Sequence, residues 1–304
     1  MPELPEVTAL AAFLDRRLAG ARVESVSFGS VHALKTADPP YSALIGRTVE
    51  SVARRGKFVV VDTVPTDGPA ADDGAPRLAV VVHLALGGWV RLLDHLPTAA
   101  SARGKGYIAA RFGFVRGEGE AREETGLDLT EAGTWKRLSV HIVRAPEEVP
   151  GIAALGPEPL AEGFSLEDFR AILGHRQQIK GLLRDQKIIA GIGNAYSDEI
   201  LHAAKISPFA LASTLDDDTT ARLYAAMREV LAEAVEHAAG LPPEELKDEK
   251  RASMRVHRRT GEPCPVCGDT ILEVSFADSA LQYCPTCQTG GKPLADRRTS
   301  KFLK

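Results

Sequence analysis

Four cysteines carry the clearest chemistry in this 304-residue chain. Cys264-x2-Cys267 and Cys284-x2-Cys287, separated by sixteen residues, use every cysteine present. Two such pairs supply four thiolates at the spacing of a tetrahedral structural zinc site. A pair of disulfides is the competing reading, and a chain expected in the cytoplasm argues against it. With all four positions occupied by sulfur the site is closed. One Zn2+ per chain would therefore hold a β-hairpin and perform no catalysis. Arg255, Arg258, Arg259 and Lys292 lie around it in sequence, a composition suited to gripping nucleic acid.

Two further stretches have chemical potential. LLRDQKIIAGIGNAYSDEIL places Gly191-Ile192-Gly193-Asn194 between two helical patterns. A helix N-terminus preceded by glycine presents free N–H groups to an anion such as a phosphate. It also suits an ordinary tight connection with Asn194 as N-cap. The chain opens MPELPEV, crowding Glu3, Pro5 and Glu6 around Pro2. Prolines that merely cap a helix would explain it as well.

The elements that must position these groups follow from pattern. Pro5 followed by Val7, Leu10, Leu14 and Leu18 has the period of an amphipathic helix, with Pro in the first turn and Glu6 near the positive end of the dipole; Gly20 ends it. ARVESVSF, RTVESVARRGKFVVVDT, LAVVVHLALGGWVRLL, KGYIAARFGFV and RLSVHIV are rich in branched apolar residues and predict an antiparallel sheet or sandwich over residues 20 to 145. VPTDGPAADDGAP (64–76) and RGEGEAREETG (116–126) read as mobile hairpin loops. Residues 151–164 read as a linker, and SLEDFRAIL opens a helical region with a Ser-x-x-Asp cap that runs to about Ala239. GLPPEELKDEKRASMRVHRRTGEPC reads as polar and mobile.

Charge is unevenly spread. The net charge of -4 argues mildly against a nucleic-acid partner, yet residues 247–304 hold eleven Lys/Arg against seven Asp/Glu, while 116–131 hold six acids and two bases. The first thirty residues offer no uninterrupted apolar run for a signal peptide, and no run approaches a membrane span. The expectation is a soluble monomer of the cytoplasm, associated with the nucleoid.

PELPEV at the N-terminus, IKGLLRDQKIIAGIGNAYSDEIL, and a four-cysteine finger preceded by HRRTGEPC occur together and in order. Across nearly the whole chain this resembles the formamidopyrimidine-DNA glycosylase and endonuclease VIII family of base-excision repair enzymes, more like the former branch. The resemblance implies an α+β multidomain protein. Residues 1–150 would form a catalytic domain, an N-terminal helix plus a two-layer antiparallel β-sandwich; after the 151–164 linker, 165–240 would form a helix-two-turn-helix domain. Residues 241–290 would carry the zinc-ribbon hairpin and its preceding loop, and 291–304 a basic tail.

The resemblance also implies roles. With Met1 removed, Pro2 is a free secondary amine that attacks C1′ of the damaged nucleotide in double-stranded DNA and forms an iminium; β- and δ-elimination then cut the strand. Glu3 serves as general acid/base, Glu6 supports the Pro2 turn, and Lys57 contacts phosphate and assists catalysis. Asn194 and Arg259 grip phosphates, His83 lies near the DNA backbone, and Lys180 makes a further phosphate contact.

Departures from the family pattern concern recognition. A family member fills the gap left by its flipped nucleotide with Met, Arg and Phe. Here Leu86 stands for the Met, and Gly133, Thr134 and Trp135 stand for Arg, Arg and Phe. Trp135 is the expected stacking group, with no arginine beside it to read the opposite base. Ser279 replaces a phosphate-gripping Arg of the finger, and Arg297, Arg298 and Lys301 are the candidate replacements. The segment before the finger is short for a loop that caps 8-oxoguanine. The expected function is a bifunctional DNA glycosylase and abasic-site lyase with a changed lesion range; the alternative is a non-catalytic or specialised lesion-binding paralogue.

Overall fold

The structure, a computed structural model, describes residues 1–66, 77–99, 108–132, 134–276 and 279–295. Gly133, Arg297, Arg298, Lys301 and most of the 64–76 loop lie outside the described residues.

Helix α1 spans Leu4–Leu18 and buries Val7, Leu10, Leu14 and Leu18, the stripe that its period announced. It begins one residue earlier than the proline suggested. Glu3 is the extended N-cap, which puts Pro5 in the first turn, where a missing N–H breaks no helical bond. Eight strands follow: β1 (Arg22–Phe28), β2 (Arg47–Arg55), β3 (Phe58–Pro65), β4 (Leu78–His83), β5 (Gly88–Leu93), β6 (Ile108–Arg116), β7 (Glu123–Glu131) and β8 (Ser139–Val143). All pairings are antiparallel, in the order β5-β7-β6-β1-β2-β3-β4-β8. The ladder thins at β1–β2, where Arg22 and Thr48 form the only register pair among the described residues. Two four-stranded halves result. Both contribute to one apolar core with α1, including Val23, Phe112 and Leu129 from one half and Val49, Val80 and Ile142 from the other.

The chain divides into two compact units, Met1–Ala154 with Ala238–Lys247, and Leu155–His237 with Asp248–Lys304. The first also holds the short helix α2 (Pro150–Ala153). In the second, α3 (Leu166–Leu173) starts at a reciprocal cap in which the Ser165 and Asp168 side chains accept each other's backbone N–H. Helices α4 (Ile179–Arg184), α5 (Asn194–Ala203) and α6 (Asp217–Ala238) follow, and the hairpin of β9 (Leu272–Ser275) and β10 (Ala280–Tyr283) leads into α8 (Pro285–Thr289).

The segment read as mobile is ordered. Residues 238–247 pack into the first unit's core through Ala238, Leu241 and Leu246. There the Trp89 indole N–H donates to the Pro243 carbonyl at 3.0 Å, and the Lys247 ammonium sits 4.3 Å from the Trp89 ring. Helix α7 (Leu246–Ser253) follows, rich in helix-forming residues and anchored by buried Leu246.

Candidate active site, nucleic-acid interface and zinc centre

In the first unit, one end of the sheet gathers the predicted catalytic residues. The Glu6 carboxylate accepts the Glu3 backbone N–H at 2.7 Å, and Pro2, Glu3 and Glu6 are all buried. Two contacts orient α1 on β2. The Gly20 N–H donates to the Val49 carbonyl, and the Val52 N–H donates to the Asp15 carboxylate at 2.7 Å. Backward along α1 is therefore forward along β2. From the Asp15–Val52 contact, Glu3 lies roughly 18 Å along the helix at 1.5 Å per residue, and Arg55, where β2 enters the Gly56–Lys57 turn, roughly 10 Å along the strand at 3.3 Å per residue. Both arrive at the same end. Gly56, at φ +54°, makes the turn that delivers Lys57, whose side chain is buried.

His83 closes the same edge. It pairs with Phe58 across β3–β4 and with Ser139 across β4–β8, its ring centred 4.8 Å from that of Phe58. Burial first, then the Lys57 and His141 charges, lower its pKa to about 4, so the ring is neutral near pH 7.

The turn after β4 and the loop before β8 also meet here. The Ala132 N–H donates to the Gly87 carbonyl at 2.9 Å, and Gly88 pairs with Glu131. Any Cβ at Gly87 would stand 2.1 Å from the Ala132 carbonyl oxygen, so glycine is required. Leu86 and Trp135, 64% and 78% exposed, project from these two adjoining segments. Large apolar groups held that far into water on neighbouring loops are what an intercalating pair requires. Glu131 was not visible as a functional residue in the sequence. Its buried carboxylate accepts the backbone N–H groups of Arg137 and Leu138, which fixes the Trp135 loop, and Arg137 is exposed on it.

In the second unit, the glycine turn is braced by Gln186, also missed. Its side chain accepts the Gly191 N–H at 3.0 Å and donates to the Ile192 carbonyl at 2.7 Å. Gly193 is the N-cap of α5, and Asn194 stands one residue inside it. The Asn194 amide N–H donates to the Ala280 carbonyl of β10 at 2.8 Å, tying the turn to the finger.

Lys180 corrects the sequence reading. Its side chain is buried, and its ammonium donates to Asp198 at 2.5 Å, Ser197 at 2.9 Å and the Asn194 carbonyl at 3.2 Å. With three donors directed inward, the residue supports the turn. His257 meets the other Asp198 oxygen at 2.8 Å. Glu199 accepts the backbone N–H groups of Arg255, Val256 and His257, fixing the chain that leads to Arg258 and Arg259. The Arg259 guanidinium is itself held by the Met254 carbonyl and Glu262, with part of its surface exposed. Ser279 sits at the tip of the β9–β10 hairpin, where its carbonyl accepts the Phe276 N–H.

The four cysteine sulfurs lie within 4.8 Å of one another. Burial pushes the Cys284 thiol up to about 11 and moves Cys287 in the same direction. Four thiolates at that distance repel one another and are held together by a cation, and sulfur donors with tetrahedral spacing fit zinc. The protein therefore carries one structural zinc, held by Cys264, Cys267, Cys284 and Cys287.

Comparison with known proteins places this arrangement. Residues 1–125 match the formamidopyrimidine-DNA glycosylase N-terminal domain, 155–242 the formamidopyrimidine-DNA glycosylase H2TH domain, and 261–290 the zinc finger found in FPG and IleRS. The chain is 33% identical to a formamidopyrimidine-DNA glycosylase of Heliobacterium modesticaldum, over 95% of this chain and 100% of that one. It is 58% identical to an uncharacterized formamidopyrimidine-DNA glycosylase-like protein of Mycobacterium tuberculosis, over 51% of this chain and 98% of that one. A solved complex of the Lactococcus lactis Fpg with abasic-site DNA matches with a TM-score of 0.77 at 25% identity, covering 94% and 99% of the two chains. No helix among the described residues is long and apolar enough to cross a membrane. The chain belongs to the formamidopyrimidine-DNA glycosylase family.

Proposed function

We propose that this member is a bifunctional enzyme of base-excision repair, which removes a damaged base from double-stranded DNA and cuts the strand through Pro2. What supports it best is the buried Pro2–Glu3 end of α1, pinned by Glu6 and level with the Lys57 turn. Once Met1 is cleaved, the Pro2 nitrogen is a secondary amine at the positive end of a fifteen-residue helix. The dipole favours the unprotonated amine and an ionised Glu3. The nitrogen attacks C1′ and the base leaves with its bonding pair. Glu3, ionised at first, takes the proton from the ammonium that the attack creates and then passes it to the ring oxygen as the sugar opens. The resulting iminium is positively charged, which acidifies the C2′ proton; its loss expels the 3′ phosphate, and a second elimination expels the 5′ phosphate.

Lys57 supplies a cation beside the reacting nucleotide, and His83, neutral, adds a hydrogen-bonding ring without a second charge. Leu86 and Trp135 enter the stack where the nucleotide has left, and Arg137 is an exposed cation on that loop. The glycine turn with Asn194, and the finger with Arg259, meet the phosphates. Lys180 has no place in that contact set.

The test uses protein freed of Met1, a duplex with one abasic site, and borohydride. The reading requires strand cleavage and a trapped covalent complex, both lost in Pro2→Gly. Binding without cleavage or trapping would sink it and favour the lesion-binding paralogue. Duplexes with 8-oxoguanine, a ring-opened purine or an oxidised pyrimidine then define the range.

A further inference from the structure

We propose that His202 belongs to the zinc centre as an outer-shell hydrogen-bond donor to Cys264, and that this bond sets how tightly the finger keeps its metal. His202 sits on the last turn of α5, 2% exposed, with its Nε2 3.3 Å from Cys264 Sγ. A metal-bound thiolate has no proton to give, so the imidazole donates and Nε2 carries the hydrogen. Nothing pulls that proton to the other nitrogen, because Nδ1 has no partner among the described residues. The side chain lines a cavity of about 220 Å3 shared with Glu229, Glu233 and Arg255, so the ring has room to keep this orientation without strain.

Cys264 is one of the two buried sulfurs of the set, and its other donor is the Val266 N–H at 3.5 Å. A thiolate that accepts an N–H bond in a dry site is less basic and harder to protonate or strip from its metal. The same helix holds the finger at its far end through Asn194 and Ala280, and just past its near end the Gln288 amide donates to the Ile206 carbonyl at 2.9 Å. His202 therefore also ties the metal to the helix that presents the glycine turn.

The experiment compares zinc release to the chelator 4-(2-pyridylazo)resorcinol from the full chain and from His202→Phe and His202→Gln. Loss of an outer-shell partner typically lowers metal affinity about 10- to 100-fold, and that is expected of His202→Phe. His202→Gln should stay close to the parent, because its amide nitrogen reaches about as far as Nε2. Parental retention by the Phe variant, or release by Gln as fast as by Phe, would overturn the proposal. Should the Phe variant not fold, His202→Asn, whose amide stops near the Nδ1 position, replaces it: Asn must lose zinc where Gln keeps it, and equal behaviour refutes the bond. The thiolate-to-metal band of the Co2+-substituted Gln protein gives a second readout, expected at the parental position and displaced if the bond is absent.

Discussion

Lys180→Met separates two accounts of a lysine that the sequence assigned to DNA. The substitution keeps the apolar stem and removes the charge, leaving Asp198, 1% exposed, with His257 at 2.8 Å and Ser197 nearby as its remaining support. Breaking a buried pair from one side costs about 3–5 kcal/mol, and the surviving His257 contact places the loss near the lower end. About 3 kcal/mol is more than a hundredfold in an opening equilibrium. Amide hydrogen exchange of the α4 and α5 peptides should accelerate by that factor where exchange follows the opening equilibrium. Asp198→Asn added to Lys180→Met removes the stranded charge and should recover most of the loss, a coupling that two independent sites would not show. If Lys180 instead gripped a phosphate, Lys180→Met would leave exchange unchanged, weaken DNA binding, and reduce the salt slope of log K by about one. That pattern would refute the buried-network reasoning.

Trp135→Ala should weaken binding to a duplex carrying a non-cleavable abasic analogue by about 1–3 kcal/mol, the worth of one stacked base, while thermal stability stays unchanged because the ring is 78% exposed; unaltered affinity would refute the stacking role. His83 is held neutral, its pKa lowered from 6.5 to about 4, so the folded form binds fewer protons than the unfolded form between those values. Stability should then fall as pH drops through that window, by up to about 3 kcal/mol, and His83→Phe should flatten this part of the urea-midpoint profile. Burial raises the Cys284 and Cys287 thiols, so zinc binding expels protons. Apparent zinc affinity should fall at least about tenfold per unit drop in pH, with proton release visible by calorimetry in buffers of different ionisation enthalpy.

Local signals were legible in the sequence where the physics is local. The Val7–Leu10–Leu14–Leu18 stripe, the Ser165–Asp168 cap and the two Cys-x2-Cys pairs each depend on neighbours within a few turns, and each is found as read. The residues that support the site were not legible, because their partners are remote. Glu199 meets chain 56 to 58 residues away, and Lys180 finds its carboxylate 18 residues on. A lysine destined for a buried carboxylate looks like any other lysine until α4 and α5 are packed. Segment 241–253 misled for a related reason: its composition is polar, but Leu241, Leu246 and the Lys247–Trp89 contact fix it. Glu131 is similar, an acid in an acidic stretch that the fold turns inward to hold the Trp135 loop.

In the mechanism proposed for this enzyme the reacting atom is the nitrogen of Pro2. The most direct measurement is peptide mapping by mass spectrometry of the borohydride-reduced complex formed on an abasic-site duplex. The sugar remnant should lie on the N-terminal proline nitrogen, and protein that retains Met1, whose Pro2 nitrogen is an amide, should give no adduct. A remnant on Lys57, or trapping that persists with Met1 in place, would contradict it.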